Sequence, residues 1–341
     1  MFAPDDVPGT FESLSGAAAT PGIYSEAPVA DNGAFSGMQI FSDRALLLSD
    51  ERLKDVASGA ASGGAGRPVR QWGQLFGSTA HQGTRDGFQG FDTMSGGIAV
   101  GADTSKCFAN AVVGASLSYG HTNADPRDSL MAETDIDSYQ LTLYGDYKLG
   151  NQAYLRGMIA YAYSGNDTDR PVSGLTARGN YNANEFTMLA KTGRGFKYGR
   201  TTLTPSLLAR WVHYDPGSYT ETGAGADNMH VVQSTMDIFE AGPGIDSTWK
   251  VKNSDGSWLV PSAHAGYRYD LVGDKIETQY SGGCCGTFSA IGPSPARSRF
   301  NIGTSLTWYT TSTWEFKAGY DFDYRADYGA HTGLFRGTLR Y

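Results

Sequence analysis

The side chains best suited to chemistry in this sequence are six histidines, His81, His121, His213, His230, His264 and His331, and three cysteines, Cys107, Cys284 and Cys285. Three cysteines give neither a disulfide framework nor zinc spacing. The adjacent Cys284 and Cys285 suit a metal ligand pair or a strained vicinal disulfide, and a neutral loop pair is the simpler expectation. The histidines fall on different segments, so surface or interfacial positions are expected for them. Acyl transfer by a serine nucleophile needs a triad order or a nucleophile elbow, and neither occurs. Asp215 and Asp227, close in sequence to His213 and His230, allow an acid–histidine site at a loop rim, but in Asp-rich loops chance proximity explains the pairing. Gly120, Gly165, Gly193 and Gly195 lack the strand–loop–helix order of a phosphate cradle and suit close strand contacts, turns or bulges. No catalytic residue, metal or cofactor is expected, and the chain is not expected to be an enzyme.

Composition narrows the classes further. Charged residues make up 18% of the chain, below the roughly 25% of soluble globular proteins, while Gly (45) and Tyr (20) are abundant. The net charge of −8 argues against nucleic acid, which calls for a basic face. Mean hydropathy is −0.35, and no stretch approaches the ~18 apolar residues of a spanning helix. A soluble β protein or a membrane barrel is left, because a spanning strand shows lipid only every second residue.

The elements that position these residues follow from periodicity. Trp314, Phe316, Ala318, Tyr320, Phe322 and Tyr324 alternate with Glu315, Lys317, Gly319, Asp321 and Asp323. His331, Gly333, Phe335, Gly337, Leu339 and Tyr341 alternate with Thr332, Leu334, Arg336, Thr338 and Arg340. The same two-faced pattern recurs in twelve segments, 69–80, 91–103, 107–120, 134–148, 152–165, 183–197, 200–214, 235–250, 257–271, 297–310, 312–324 and 329–341, which predicts strands. Most reach the ~9–11 residues that cross a bilayer at a tilt. Their connections alternate between long (81–90, 121–133, 166–182, 215–234, 272–296, with a shorter one at 325–328) and short (104–106, 150–151, 197–199, 252–256, near 311). That is the asymmetry of outer-membrane barrels, with long outer loops and tight periplasmic turns. An even strand number puts both barrel ends on the periplasmic side. Tyr119, Tyr147, Tyr163, Trp211, Trp249, Tyr269, Trp308 and Trp314 sit near strand ends, as interfacial girdles require.

Ahead of the strands, residues 1–36 read as a flexible linker or passenger remnant. Residues 37–66 hold a helix over about 43–58, capped by Ser42 or Asp43 and followed by a Gly/Ala/Ser spacer. Residues 67–341 form the predicted barrel. Met1–Thr20 has no basic n-region and no apolar h-region, which predicts that the chain is a C-terminal piece of a longer precursor.

Arg70–Gly77, Gly96–Asp103, Arg299–Gly303 and the aromatic-ended Gly337–Tyr341, in this order and spacing, resemble the C-terminal β-barrel translocator domain of autotransporters, the type V secretion family. The resemblance covers about 69–341, and more loosely the preceding helix. It implies an outer-membrane location in a Gram-negative bacterium, a passenger N-terminal to the barrel and carried to the cell surface, insertion by the β-barrel assembly machinery after escort by periplasmic chaperones, and a helix left in the pore. On that reading Arg44, Arg52 and Lys54 of the helix pair with lumen-facing Asp146, Glu315, Asp321 and Asp323. Phe335, Gly337, Leu339 and Tyr341 form the C-terminal insertion signal. The alternatives are a stand-alone pore or porin, and a surface-adhesion barrel whose loops bind ligands.

Overall fold

The computed structural model describes residues 69–106, 108, 110–127, 132–282, 286–293 and 295–341. Twelve long strands run β1 (Val69–Gln82), β2 (Phe91–Thr104), β3 (Ala111–Pro126), β4 (Glu133–Gly150), β5 (Ala153–Val172), β6 (Leu175–Arg194), β7 (Thr201–Pro216), β8 (Met236–Trp249), β9 (Trp258–Asp270), β10 (Ser298–Tyr309), β11 (Trp314–Arg325) and β12 (Tyr328–Arg340). Each pairs antiparallel with the next, and β12 returns to β1 in a register from Arg70↔Arg340 to Gln82↔Tyr328. The sheet is a closed up-and-down barrel. Closure pairs every strand, which a sheet in hydrocarbon requires because water is absent there to satisfy an open edge.

Alternation settles which face meets what. On β4, Tyr139, Leu141, Leu143, Tyr147 and Leu149 are exposed, whereas Ser138, Gln140, Thr142, Tyr144 and Asp146 are buried. Tyr139 to Leu149 is about ten residue steps, ~34 Å of strand, which at the ~40° tilt of such barrels spans roughly 25 Å, the height of the apolar belt. Tyr119, Tyr163, Trp249, Tyr269, Trp308 and Trp314 are likewise exposed on the outer surface. Among the described residues no helix is long and apolar enough to cross a membrane; the strands present the lipid-facing belt.

Inside the wall, large rings lie over glycines of the neighbouring strand. Trp72 is opposite Gly101, where a Cβ would stand 2.5 Å from the indole, and Phe76 covers Gly97 in the same way. The Trp72 indole donates to the Tyr144 hydroxyl at 2.9 Å. These rings join Met158, Leu189 and Leu334 in one apolar cluster on the inner wall.

The two ends differ from the sequence expectation in length. β3 continues to Pro126, and segment 166–182 is not a loop: β5 and β6 run as one hairpin to a tip at Ser173-Gly174. Both tip residues have positive φ, 50° and 77°, the type I′ geometry of a two-residue hairpin turn. The third strand begins at Ala111 rather than 107, and the sixth at Leu175 rather than 183. Connections 215–234 and 272–296 are not structureless either. Tyr219–Thr220, Met229–Gln233, Glu277–Gly282 and Thr287–Ile291 form a second, four-stranded sheet. At the other end β4 and β5 are joined by Asn151-Gln152, with φ 47° and 62°, another type I′ turn. Residues 1–66, with the expected helix over 43–58, and Cys107, Cys284 and Cys285 lie outside the described residues.

Candidate functional site: the lumen wall and its two mouths

The interior wall has two unlike arcs. From β1 to β6 it carries the apolar and aromatic cluster around Trp72, Phe76 and Tyr144. From β7 to β11 one inward row is charged. Glu240 Oε2 meets Arg210 Nη2 at 3.1 Å and Arg268 Nη1 at 3.4 Å, Glu240 Oε1 meets Arg325 Nη2 at 3.5 Å, and Arg299 Nη1 stands at 3.9 Å. Arg299 Nε also donates to Asp323 at 2.9 Å. One carboxylate therefore gathers a guanidinium from each of β7, β9, β10 and β11. Buried ions are tolerated only in such company, because an isolated one loses its hydration without return.

The carboxylates singled out from the sequence are placed as follows. Asp146 takes Nε and Nη2 of Arg156 at 3.1 and 2.9 Å; Glu315 faces Arg336 at 3.8 Å. Asp321 lies 2.9 Å from His264 Nε2, and Asp323 holds Arg299. All four are buried in the wall, three beside an arginine and Asp321 beside His264, each partner coming from a strand of the barrel itself. Arg44, Arg52 and Lys54 lie outside the described residues. Phe335, Gly337 and Leu339 are on the outward face of β12, and Tyr341, just after it, is half exposed.

The histidines do not converge. His81 meets Asp92 (2.7 Å), His121 meets Asp137 (3.1 Å), His213 meets Asp237 (3.1 Å), His230 meets Thr220 (2.9 Å) and His331 meets Tyr320 (2.6 Å). Neither Asp215 nor Asp227 is the carboxylate beside His213 or His230. Among the described residues no group of three or more His, Cys, Asp or Glu is placed to hold a metal ion.

The mouth at the long-loop end is narrowed by its own connections. Ile276, after β9, is buried among the inward side chains Ala162, Ala183, Val212, Tyr214, Met236 and Ile238. Arg170, near the tip of the β5–β6 hairpin, clamps Glu221 through two hydrogen bonds of 2.9 and 2.6 Å and reaches the Asp227 carbonyl. Tyr219 stacks on Tyr181 at 4.9 Å. The small sheet has its own core of Met229, Val231, Tyr280 and Phe288. The opposite mouth, between tight turns, keeps a cavity of about 480 Å³ lined by Lys148, Tyr154, Arg156, Lys197, Asp246, Thr248 and Lys317 among others.

The Glu240 cluster and the Arg170–Glu221 clamp are not evident in the sequence. Parity was the available signal for the first: Arg268 sits between outward Tyr267 and Tyr269, so its guanidinium points inward. Nothing local marks which inward arginines share a carboxylate, since Arg210, Glu240 and Arg325 are far apart in sequence.

A closed twelve-stranded barrel with an apolar outer belt, a charged interior and unequal ends is a transmembrane outer-membrane barrel. The autotransporter β-domain family model matches residues 71–321, and the chain belongs to that family. It is 23% identical over 314 residues to outer membrane protein B of Rickettsia prowazekii, covering 86% of this chain and 19% of that protein. The chain thus spans about a fifth of the length of the curated relatives it matches. Its fold is similar to the translocator domain of autotransporter NalP from Neisseria meningitidis (TM-score 0.68, 17% identity, 89% of this chain and 99% of that one). It is also similar to the transport unit of AIDA-I from Escherichia coli (TM-score 0.64, 16% identity, 84% and 96%). The protein is a translocator β-domain of the Gram-negative outer membrane. The long-loop end is accordingly extracellular and the short-turn end periplasmic.

Proposed function

We propose that this barrel carries a polypeptide joined ahead of its N-terminal segment through the lumen to the cell surface, and that residues 37–66 then occupy the lumen. The observation that supports this most is where the chain enters the fold. β1 starts at Val69, paired with Thr104 at the short-turn end, so a preceding segment joins the wall beside the periplasmic mouth. Its one water-filled path to the outside is the lumen. In this reading Arg44, Arg52 and Lys54 approach Asp146, Glu315, Asp321 and Asp323 and share them with their partners in the wall. Replacing the three bases with Gln should raise single-channel conductance; an unchanged conductance removes the helix from the pore.

Periplasmic chaperones and the β-barrel assembly machinery are the partners this route needs, and outer-membrane lipid is its solvent. Phe335, Gly337, Leu339 and Tyr341, all on one face at the chain's last strand, serve as the signal read at insertion. Deleting Tyr341 should lower the yield of heat-modifiable barrel in membranes without changing the yield in detergent refolding. The direct test places a signal peptide and an epitope tag before Met1 and follows tag accessibility on intact cells. A tag that reaches the surface supports transit. A tag held in the periplasm beside a well-inserted barrel favours a stand-alone pore or an adhesion barrel.

A further inference from the structure

The charged side chains are sorted by end. The periplasmic turn segments 105–110, 148–152, 194–200, 249–257 and 310–313 contain Lys106, Lys148, Arg194, Lys197, Arg200, Lys250 and Lys252 against the single acid Asp255. Two of these, Lys148 and Lys197, line the cavity of about 480 Å³ in the periplasmic mouth. Its lining holds the cations Lys148, Arg156, Lys197 and Lys317 and the carboxylate Asp246, with hydroxyls from Thr202, Thr204, Thr248, Ser262 and Thr307. Behind the lining, Asp146 faces Arg156 and Lys191 faces Asp246. Lys250, in the turn after β8, has its ammonium pKa pushed down by partial burial and by the nearby Lys197 charge, as expected where like charges crowd.

The chain itself contains a segment of opposite character. Residues 1–43 hold Asp5, Asp6, Glu12, Glu26, Asp31 and Asp43 and no Lys, Arg or His. We infer that the basic periplasmic vestibule is an electrostatic docking site for this acidic segment, engaged as residues 1–43 pass from the periplasm into the lumen. A low-dielectric mouth in which one sign of charge predominates concentrates the field in its opening and raises the local concentration of an oppositely charged chain. Its hydroxyls and ammonium groups are hydrogen-bond donors for carboxylates, and none demands a particular sequence. The site therefore selects charge, in keeping with a passage that threads many different residues in turn. Attraction of this kind acts on rate and is screened by salt over ~8–10 Å.

The inference rests on the transit reading, and the experiment separates the two. Full-length chain with a signal peptide and a tag before Met1 is expressed as wild type, as Lys148→Glu/Lys197→Glu/Lys317→Glu, and as a chain with Asp5, Asp6, Glu12, Glu26 and Asp31 changed to Lys. A fourth variant combines both sets. Inserted barrel is scored by heat modifiability, and tag appearance on intact cells is timed after a pulse. Either single set should slow appearance at least threefold per inserted barrel, and the combination should recover most of the wild-type rate. Equal rates in all four, or single-set slowing without recovery in the combination, overturns the docking site and leaves transit standing. A wild-type tag that never reaches the surface overturns the transit reading and the docking site with it. A triple variant that fails to insert is replaced by Lys148→Glu/Lys197→Glu, which keeps the inward Lys317. It is timed with its own combination partner, and the same recovery criterion decides.

Discussion

The two ends of this barrel are made from the same alternating strands and are nevertheless opposite in build. At the extracellular end the strands outrun the membrane, and the exposed Asp125, Glu133, Asp135, Asp137, Asp167 and Asp169 face water above the tyrosine girdle. Connections there fold into a small sheet that is pinned by Arg170–Glu221 and inserts Ile276 into the mouth. At the periplasmic end the turns are tight, basic and leave a cavity. The difference shows how one pattern is put to two uses. Where strands must only close the barrel, the shortest turn suffices; where they also narrow its mouth, they are lengthened until they have a core of their own.

That comparison breaks most severely at Glu240, which gathers four arginines beneath the extracellular cap. Changing Glu240→Gln removes the carboxylate that four guanidiniums share, and removing one partner of a buried ion set costs about 3–5 kcal/mol. The urea midpoint of the detergent-folded barrel should fall accordingly, whereas Lys197→Gln at the other end should leave it nearly unmoved.

Arg170→Met tests the cap without the barrel. Glu221 then keeps its burial but loses its clamp, a loss of about 2–3 kcal/mol by the usual worth of charge-assisted hydrogen bonds. Limited proteolysis should begin cutting within 217–235 while heat modifiability stays as in wild type. Loss of both together would mean that cap and barrel are one cooperative unit.

At the periplasmic end the sharpest handle is backbone strain. Gln152 has φ 62°, a left-handed conformation that costs a residue with a Cβ roughly 1 kcal/mol. Gln152→Gly should stabilise the folded barrel against urea by about that amount.

The smallest effect is one of pH at the extracellular strand tips. Glu133 has its pKa raised by partial desolvation and by the neighbouring Asp125, Asp135 and Asp169. A carboxyl with a raised folded-state pKa binds its proton more tightly when folded, so the tip gains stability as pH falls through that pKa and loses it toward neutrality. Amide exchange at 133–135, corrected for its intrinsic pH dependence, should therefore be slower at mildly acidic pH. Glu133→Gln should remove the difference.

Most of the barrel was legible because alternation carries both inside–outside sense and length. Trp314–Tyr324 and the last strand displayed their lipid faces outright, and the sizes of the connections set the orientation. The alternation faded where no lipid marks the outer face. Between Asn166 and Asn182 the outward positions are Asp167, Asp169, Arg178 and Asn180 and the inward ones include Thr168 and Arg170, so both faces are polar and the hairpin reads as a loop. Burial of inward carboxylates followed from parity at Asp146, Glu315, Asp321 and Asp323. Their ion-pair partners did not, because closure brings together residues such as Glu240 and Arg325 that no local pattern relates. The cap was hidden for the same reason, since Arg170 and Glu221 meet only once two connections have folded across the mouth.

The central claim is that this lumen is a passage closed by the chain's own segments. Single-channel conductance of the refolded full chain against residues 67–341 in planar bilayers tests it most directly. The full chain should show a small, nearly closed conductance and the shorter one a large, stable pore. Equal conductance in both would contradict it, placing residues 1–66 outside the lumen and leaving the barrel as a pore in its own right.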